Sequence, residues 1–111
     1  MSSRFRVMCG RNIALGPGKT ELLALIGRTG SINKAAKQMD MSYMRAWSLV
    51  QTMNACFKEP LVAAAQGGQG GGGAKLTETG HRTLALYRQM ERQAAKATRS
   101  SWKKMQSLIK S

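Results

Sequence analysis

Along residues 5–9 the side chains alternate, Phe5, Val7 and Cys9 on one side and Arg6 and Met8 on the other, which predicts a short strand. Gly10-Arg11-Asn12 supplies turn chemistry, and Ile13-Ala14-Leu15 completes a hairpin. After Gly16-Pro17-Gly18 the period lengthens. Pro suits a first helical turn, Leu22, Leu23 and Ile26 build an apolar face, and Gly30 is a natural C-cap, so a helix is predicted over about 17–29.

Two further helices follow with almost no chain between them. Ser31 is placed to cap a short helix whose Ile32, Ala35, Ala36 and Met39 face inward. Asp40-Met41 makes a tight turn, Ser42 caps again, and Ala46, Leu49, Val50, Met53 and Phe57 form one apolar stripe at helical spacing. The small Ala35 and Ala36 suit the close crossing of a helix-turn-helix, where bulkier side chains would push the second helix out of position. Opposite the stripe, a rotation of about 100° per residue places Met44, Arg45, Ser48, Gln51 and Thr52 outward. Arg45 can pair with guanine and Gln51 with adenine, while Ser42 and Ser48 can donate to phosphates or base edges. The same residue types also populate solvated faces that bind nothing. Tyr43 and Trp47 fall at the margin of the stripe, where Trp47 is expected to pack and Tyr43 is open to either role.

Beyond Glu59-Pro60, the runs Leu61-Val62-Ala63-Ala64-Ala65 and Ala74-Lys75-Leu76 flank a glycine-rich tip at 66–73. Two short strands around such a tip, after a helix-turn-helix, predict a wing whose glycines let the backbone approach phosphate; the plainer alternative is a flexible loop. Gln69 and Lys75 are the side chains near the tip able to reach DNA. Two look-alike motifs fall away. Gly68, Gly70 and Gly73 satisfy G-x-G-x-x-G but lie between strands instead of opening a helix, and Gly18-Lys19-Thr20 lacks the first glycine of a P-loop, since Ile13 stands there.

Thr77 is an N-cap, and from Glu78 a helical pattern runs without proline to about Ile109, roughly 48 Å in length. A helix so long must project from a small body or pair with another. Thr83, Tyr87, Met90, Ala94, Ala97, Ser101, Met105 and Leu108 recur at steps of three or four, a seam whose obvious partner is its own copy. Arg88, Arg92, Lys96, Arg99, Lys103 and Lys110 line the opposite side. That stripe is either the solvated back of a dimer helix or a phosphate contact, and the few large apolar side chains disfavour a lipid surface.

Composition sharpens the choice of partner. At 111 residues the chain is one domain's worth, and 18 Lys and Arg against 5 Asp and Glu leave a formal charge of +13, which points to a polyanion. Residues 77–111 carry eight basic and two acidic side chains, net +6, whereas 42–60 carry only +1, so the reading helix is not the main source of charge. Six aromatic side chains are few for a single-strand binder built on stacking, so duplex DNA fits better. The longest apolar run, 22–26, is far short of the roughly 18 residues of a spanning helix, and no apolar signal segment precedes Gly10. Cys9 and Cys56, 47 positions apart in no ligand-like spacing, read as small buried hydrophobes rather than a disulfide. Met39, Met53 and Met90 lie on inward stripes and read as core filler rather than a soft-metal site. The single His81 and the scattered acids offer no catalytic pair or cluster, so no enzyme, cofactor or metal is expected.

The sequence resembles the N-terminal DNA-binding domain of the molybdate-responsive ModE family, a LysR-like winged helix-turn-helix. The likeness rests on Thr29-Gly30-Ser31-Ile32 with Ala35-Ala36, Met41-Ser42-Tyr43 with Ala46-Trp47, Met53-Asn54, Glu59-Pro60-Leu61-Val62, Gly67-Gly68 with Gly70 to Gly73 and Ala74, and Leu76-Thr77 with Gly80. It covers about residues 5 to 95. The resemblance implies a homodimer joined through N-terminal and long C-terminal elements, with paired recognition helices in successive major grooves of a near-palindromic operator. Full-length members carry oxyanion-binding domains beyond the point where this sequence ends, so the expected form is a single-domain one and no molybdate site carries over. Met44 and Gln69 stand where the family often has basic residues.

The expected fold is mainly α with small β elements: a winged helix-turn-helix with an N-terminal β-hairpin and a long C-terminal dimerisation helix. Residues 1–76 form the expected DNA-binding body, and 77–111 the dimerisation helix and basic extension of the same domain. The expected function is that of a cytoplasmic, nucleoid-associated transcriptional regulator binding double-stranded DNA as a homodimer, with no membrane partner and an effector that the sequence does not reveal. Arg45, Ser48 and Gln51 read bases in this account, while Ser31, Lys34, Lys37 and Lys75 sit on phosphates. The competing class is a sequence-tolerant DNA-compacting protein driven by charge, and a third is an adaptor that holds another protein.

Overall fold

A computed structural model describes residues 5–65 and 73–110. Within them the chain is mainly helical: a hairpin of β1 (Val7–Cys9) and β2 (Asn12–Leu15), three helices α1 (Pro17–Thr29), α2 (Ile32–Gln38) and α3 (Tyr43–Cys56), a second hairpin of β3 (Val62–Ala65) and β4 (Gly73–Leu76), and a long α4 (Glu78–Gln106). Both hairpins are antiparallel and each stands alone as a two-stranded sheet.

In the first hairpin Cys9 pairs with Asn12, which leaves Gly10 and Arg11 as a two-residue turn. Gly10 takes φ +60, the positive value that a tight hairpin turn requires at its first position, and Arg11 is thereby set at the exposed corner. Pro17 opens α1, and Gly30 ends it at φ +72 with its N–H on the Ile26 carbonyl at 2.9 Å. One residue later Ser31 begins α2, so the direction change needs no loop.

Leu22, Leu23 and Ile26 of α1 are fully enclosed and meet Ala35 and Ala36 of α2, Ala46, Val50 and Met53 of α3, and Leu61 ahead of β3. The alanines present only methyl groups at the crossing, so backbones approach closely, and each large side chain removed from water contributes about 1.5–3 kcal/mol. The second hairpin is tied to this body through its backbone: the Ala74 N–H donates to the Gly30 carbonyl at 3.0 Å and the Thr77 N–H to the Leu61 carbonyl at 2.9 Å. The Thr77 hydroxyl donates to the Pro60 carbonyl at 2.6 Å while its oxygen caps α4 through the Gly80 N–H at 2.9 Å.

The first turns of α4 pack on the body through Gly80, Leu84 and Tyr87, and beyond Glu91 its side chains are nearly all exposed. About 44 Å of helix thus accounts for much of the 54 Å long axis. The helix ends at Gln106, short of the expected Ile109, so Leu108 lies past it. Tyr87 is 2% exposed and donates its hydroxyl to the Phe5 carbonyl at 2.8 Å, so its side chain is enclosed by its own chain instead of turned along an intermolecular seam. Met90, expected on an inward stripe, is exposed, because the hairpin and α1 cover only the preceding turns.

Cys9 and Cys56, expected as small buried hydrophobes rather than a disulfide, form no disulfide but are less enclosed than expected. Both are half-buried free thiols, and Cys9 is the neighbour that most affects Cys56. The Cys9 thiol beside it and burial push the Cys56 thiol up from its ordinary range.

Candidate nucleic-acid interface

The α2 and α3 helices are joined by a turn that its sequence specifies closely. Asp40 takes φ +53, a left-handed conformation that Asp tolerates, and the Met41 N–H reaches back to the Ala36 carbonyl at 3.0 Å. The oxygen of Ser31 accepts the Lys34 N–H at 3.1 Å, and that of Ser42 accepts the Arg45 N–H at 3.1 Å. Each cap satisfies an orphan donor of its helix and leaves a hydroxyl hydrogen to donate outward.

With Ala46, Val50 and Met53 held in the core, the opposite side of α3 faces solvent. Met44, at 65% exposure, stands there with Arg45, Ser48 and Gln51. Thr52 is only half-buried at the edge of this face and spends its hydroxyl on the Ser48 carbonyl at 3.2 Å. Lys34 and Lys37 are exposed on α2, and Lys75 is exposed on β4, opposite Ala63. Gln69 and the tip at 66–72 lie outside the described residues. Of the expected dimerisation residues, Met90, Ala97, Ser101 and Met105 are exposed on α4, Ala94 is half-buried, and Leu108 is exposed beyond the helix end.

Two grooves border α3. The one toward the second hairpin encloses about 280 Å³ and is lined by Ser31, Tyr43, Trp47, Gln51 and Asn54 among others, none of them charged. Here Trp47 departs from expectation: it is 42% exposed and stands with Tyr43, at 45%, on the groove wall. The groove toward the first hairpin is larger, about 660 Å³, and brings Arg6, Arg11, Lys19 and Arg45 together. Lys19 directs its ammonium to the Ile13 carbonyl. The local pattern predicts the hairpin but does not place it against α3, so Arg6, Arg11 and Lys19 are not among the candidate residues of the sequence. The cations flanking its turn were the available signal.

Among the described residues no three His, Cys, Asp or Glu side chains come together, and no helix is long and apolar enough to cross a membrane. No family model matches the chain. Individual relatives do. The molybdenum-pterin-binding protein MopB of Rhodobacter capsulatus is 44% identical over 95 residues, 79% of this chain and 35% of that protein. The molybdenum transport protein ModE of Azotobacter vinelandii is 47% identical over 78 residues, 70% of this chain and 29% of that protein. The DNA-binding transcriptional dual regulator ModE of Escherichia coli K12 is 44% identical over 71 residues, 64% of this chain and 27% of that protein. The chain therefore spans about a third of the length of these relatives. Over that matched third, and over most of its own length, the chain is similar to the ModE and Mop proteins.

Proposed function

We propose that the chain is the DNA-binding part of a ModE-like transcriptional regulator, a winged helix-turn-helix that takes duplex DNA as a homodimer. The observation that carries this reading is the α2–turn–α3 unit: both helices are capped, one side of α3 is locked into the core, and the other presents Met44, Arg45, Ser48 and Gln51 to solvent. A B-form major groove admits one such helix, and Arg45, Ser48 and Gln51 are the base readers in this account. The β3–β4 hairpin serves as the wing, with Lys75 on a phosphate. Ser31, Lys34 and Lys37 of α2 also meet phosphates, as do the Ser42 hydroxyl and Tyr43 at the start of α3. The names of the relatives, one of them a DNA-binding transcriptional regulator, support the assignment.

In this account residues 77–111 form the dimer helix of the same domain. An apolar and small-residue line through Met90, half-buried Ala94, Ala97, Ser101 and Met105 suits a second helix, and the basic stripe raises the general attraction of the dimer for DNA. Selection from random duplexes tests the function. A regulator returns a two-fold motif with half-sites about one helical turn apart, whereas recovery of no motif would assign the chain to charge-driven compaction instead.

A further inference from the structure

We infer that the N-terminal hairpin is a second DNA-gripping arm, opposite the wing, and that the cleft between it and α3 seats the sugar-phosphate strand on that side of the major groove. The inference rests on the proposed placement of α3 in duplex DNA and extends it to residues outside the helix-turn-helix.

A helix with its side chains is about 10–12 Å across and fills a major groove about 12 Å wide, so the two phosphate strands run close along either side of it. Whatever flanks α3 must therefore meet them. On one side stands the β3–β4 hairpin, on the other the β1–β2 hairpin with the start of α1. The two flanks differ in charge. The wing-side groove has no charged residue in its described lining, while the hairpin-side cleft has four cations, Arg6, Arg11, Lys19 and Arg45, and no acid.

That charge belongs to a built surface. Arg11 is set at the hairpin corner by the positive φ of Gly10, and the stem of Arg6 lies over Gly16, where an added β-carbon would come 3.7 Å from its Cγ. Lys19 is drawn toward the Ile13 carbonyl, which fixes its charge at the cleft wall. The cations come from the hairpin, α1 and α3, so the chain pathway brings them together from three separate stretches of sequence. Like charges so gathered repel one another until a polyanion enters, and duplex phosphates, spaced along a rigid strand beside α3, are the chemistry that fits. Guanidinium groups suit such contacts because their forked donors match phosphate oxygens.

The test uses the full chain with Arg6→Gln and Arg11→Gln together, and a duplex recovered from the random pool. Losing two phosphate contacts should weaken binding about tenfold or more at moderate salt and flatten the slope of log K against log salt by about 2. Base preference should stay unchanged. The pair Arg6→Lys and Arg11→Lys should keep the slope, and thermal unfolding should be alike in all three. Methylphosphonates scanned along the duplex should weaken the wild type at phosphates flanking α3 on one side, with no further loss at those positions for the glutamine pair. If the wild type binds and the glutamine pair matches it in affinity and slope, the arm is wrong while the DNA reading stands. If an equal loss follows from Lys58→Gln with Arg82→Gln, the effect is general charge and the arm is again wrong. If the wild type binds no duplex, the DNA reading itself fails and the arm with it.

Discussion

Asn54 and Val62 are joined twice: the Asn54 carboxamide oxygen accepts the Val62 N–H at 3.2 Å, and its amino group donates to the Val62 carbonyl at 3.1 Å. The same oxygen accepts the Leu61 N–H at 2.9 Å. A side chain on α3 thus pairs with the edge of β3 as a neighbouring strand would, and it fixes the hairpin relative to the helix. Asn54→Ala leaves these partly buried backbone groups without partners, so an unfolding midpoint in urea should report a loss of about 2 to 4 kcal/mol with an unchanged m-value. Asn54→Asp should also destabilise, because a carboxylate cannot donate to the Val62 carbonyl.

Gly80 and Gly27 should respond oppositely to alanine although both are helical. A β-carbon at Gly80 would lie 2.2 Å from the Leu61 carbonyl oxygen, and backbone cannot yield at that point. At Gly27 the nearest atoms are Leu76 side-chain carbons, a methyl at 3.0 Å and Cγ at 3.2 Å, which need shift by only a few tenths of an ångström and are not backbone. Gly80→Ala should cost about 2 kcal/mol or more despite the gain in helix propensity, whereas Gly27→Ala should fall between neutral and about 1 kcal/mol stabilising. Thermal melts of the two variants side by side check the contrast.

Burial, with Glu91 nearby, raises the Tyr87 phenol above its ordinary value of 10.0. The folded state thus favours the protonated phenol. Its contribution is complete below pH 10 and is lost as pH rises through the folded value. Tyr87→Phe removes the hydrogen bond to the Phe5 carbonyl, which should cost about 1 to 2 kcal/mol near neutral pH. The gap between wild type and variant should narrow above pH 10 in urea titrations run from pH 8 to 11.5.

The apolar and small-residue line on α4 gives the proposed dimer its own test. Ala94→Glu with Ala97→Glu places four like charges in the paired seam, two from each copy. Sedimentation should shift from dimer to monomer, and affinity should fall much more for a duplex with two half-sites than for one with a single half-site. A dimer that survives both substitutions would place its contact elsewhere.

Much of this architecture is legible in local sequence because its signals are local. Gly30 as a left-handed cap, Ser31, Ser42 and Thr77 as N-caps, and the enclosed Ala35, Ala36 and Ala46 all follow from a few residues of context. What local pattern could not supply was the packing of distant segments. Cys9 and Cys56 meet, Trp47 stays open, Tyr87 is taken up by the Phe5 carbonyl, and Arg6, Arg11 and Lys19 face α3 only because the first hairpin folds back against that helix. Periodicity assigns a side of a helix, but not how far its neighbours cover it.

The base-reading role of α3 is tested most directly by Arg45→Ala, measured on a selected duplex and on a scrambled one of equal length and salt. The account predicts a loss of roughly 1 to 3 kcal/mol, about 5- to 160-fold, on the selected duplex, relaxed preference at one base position, and a much smaller loss on the scrambled one. Equal losses on both duplexes would contradict it and reduce Arg45 to a general phosphate contact.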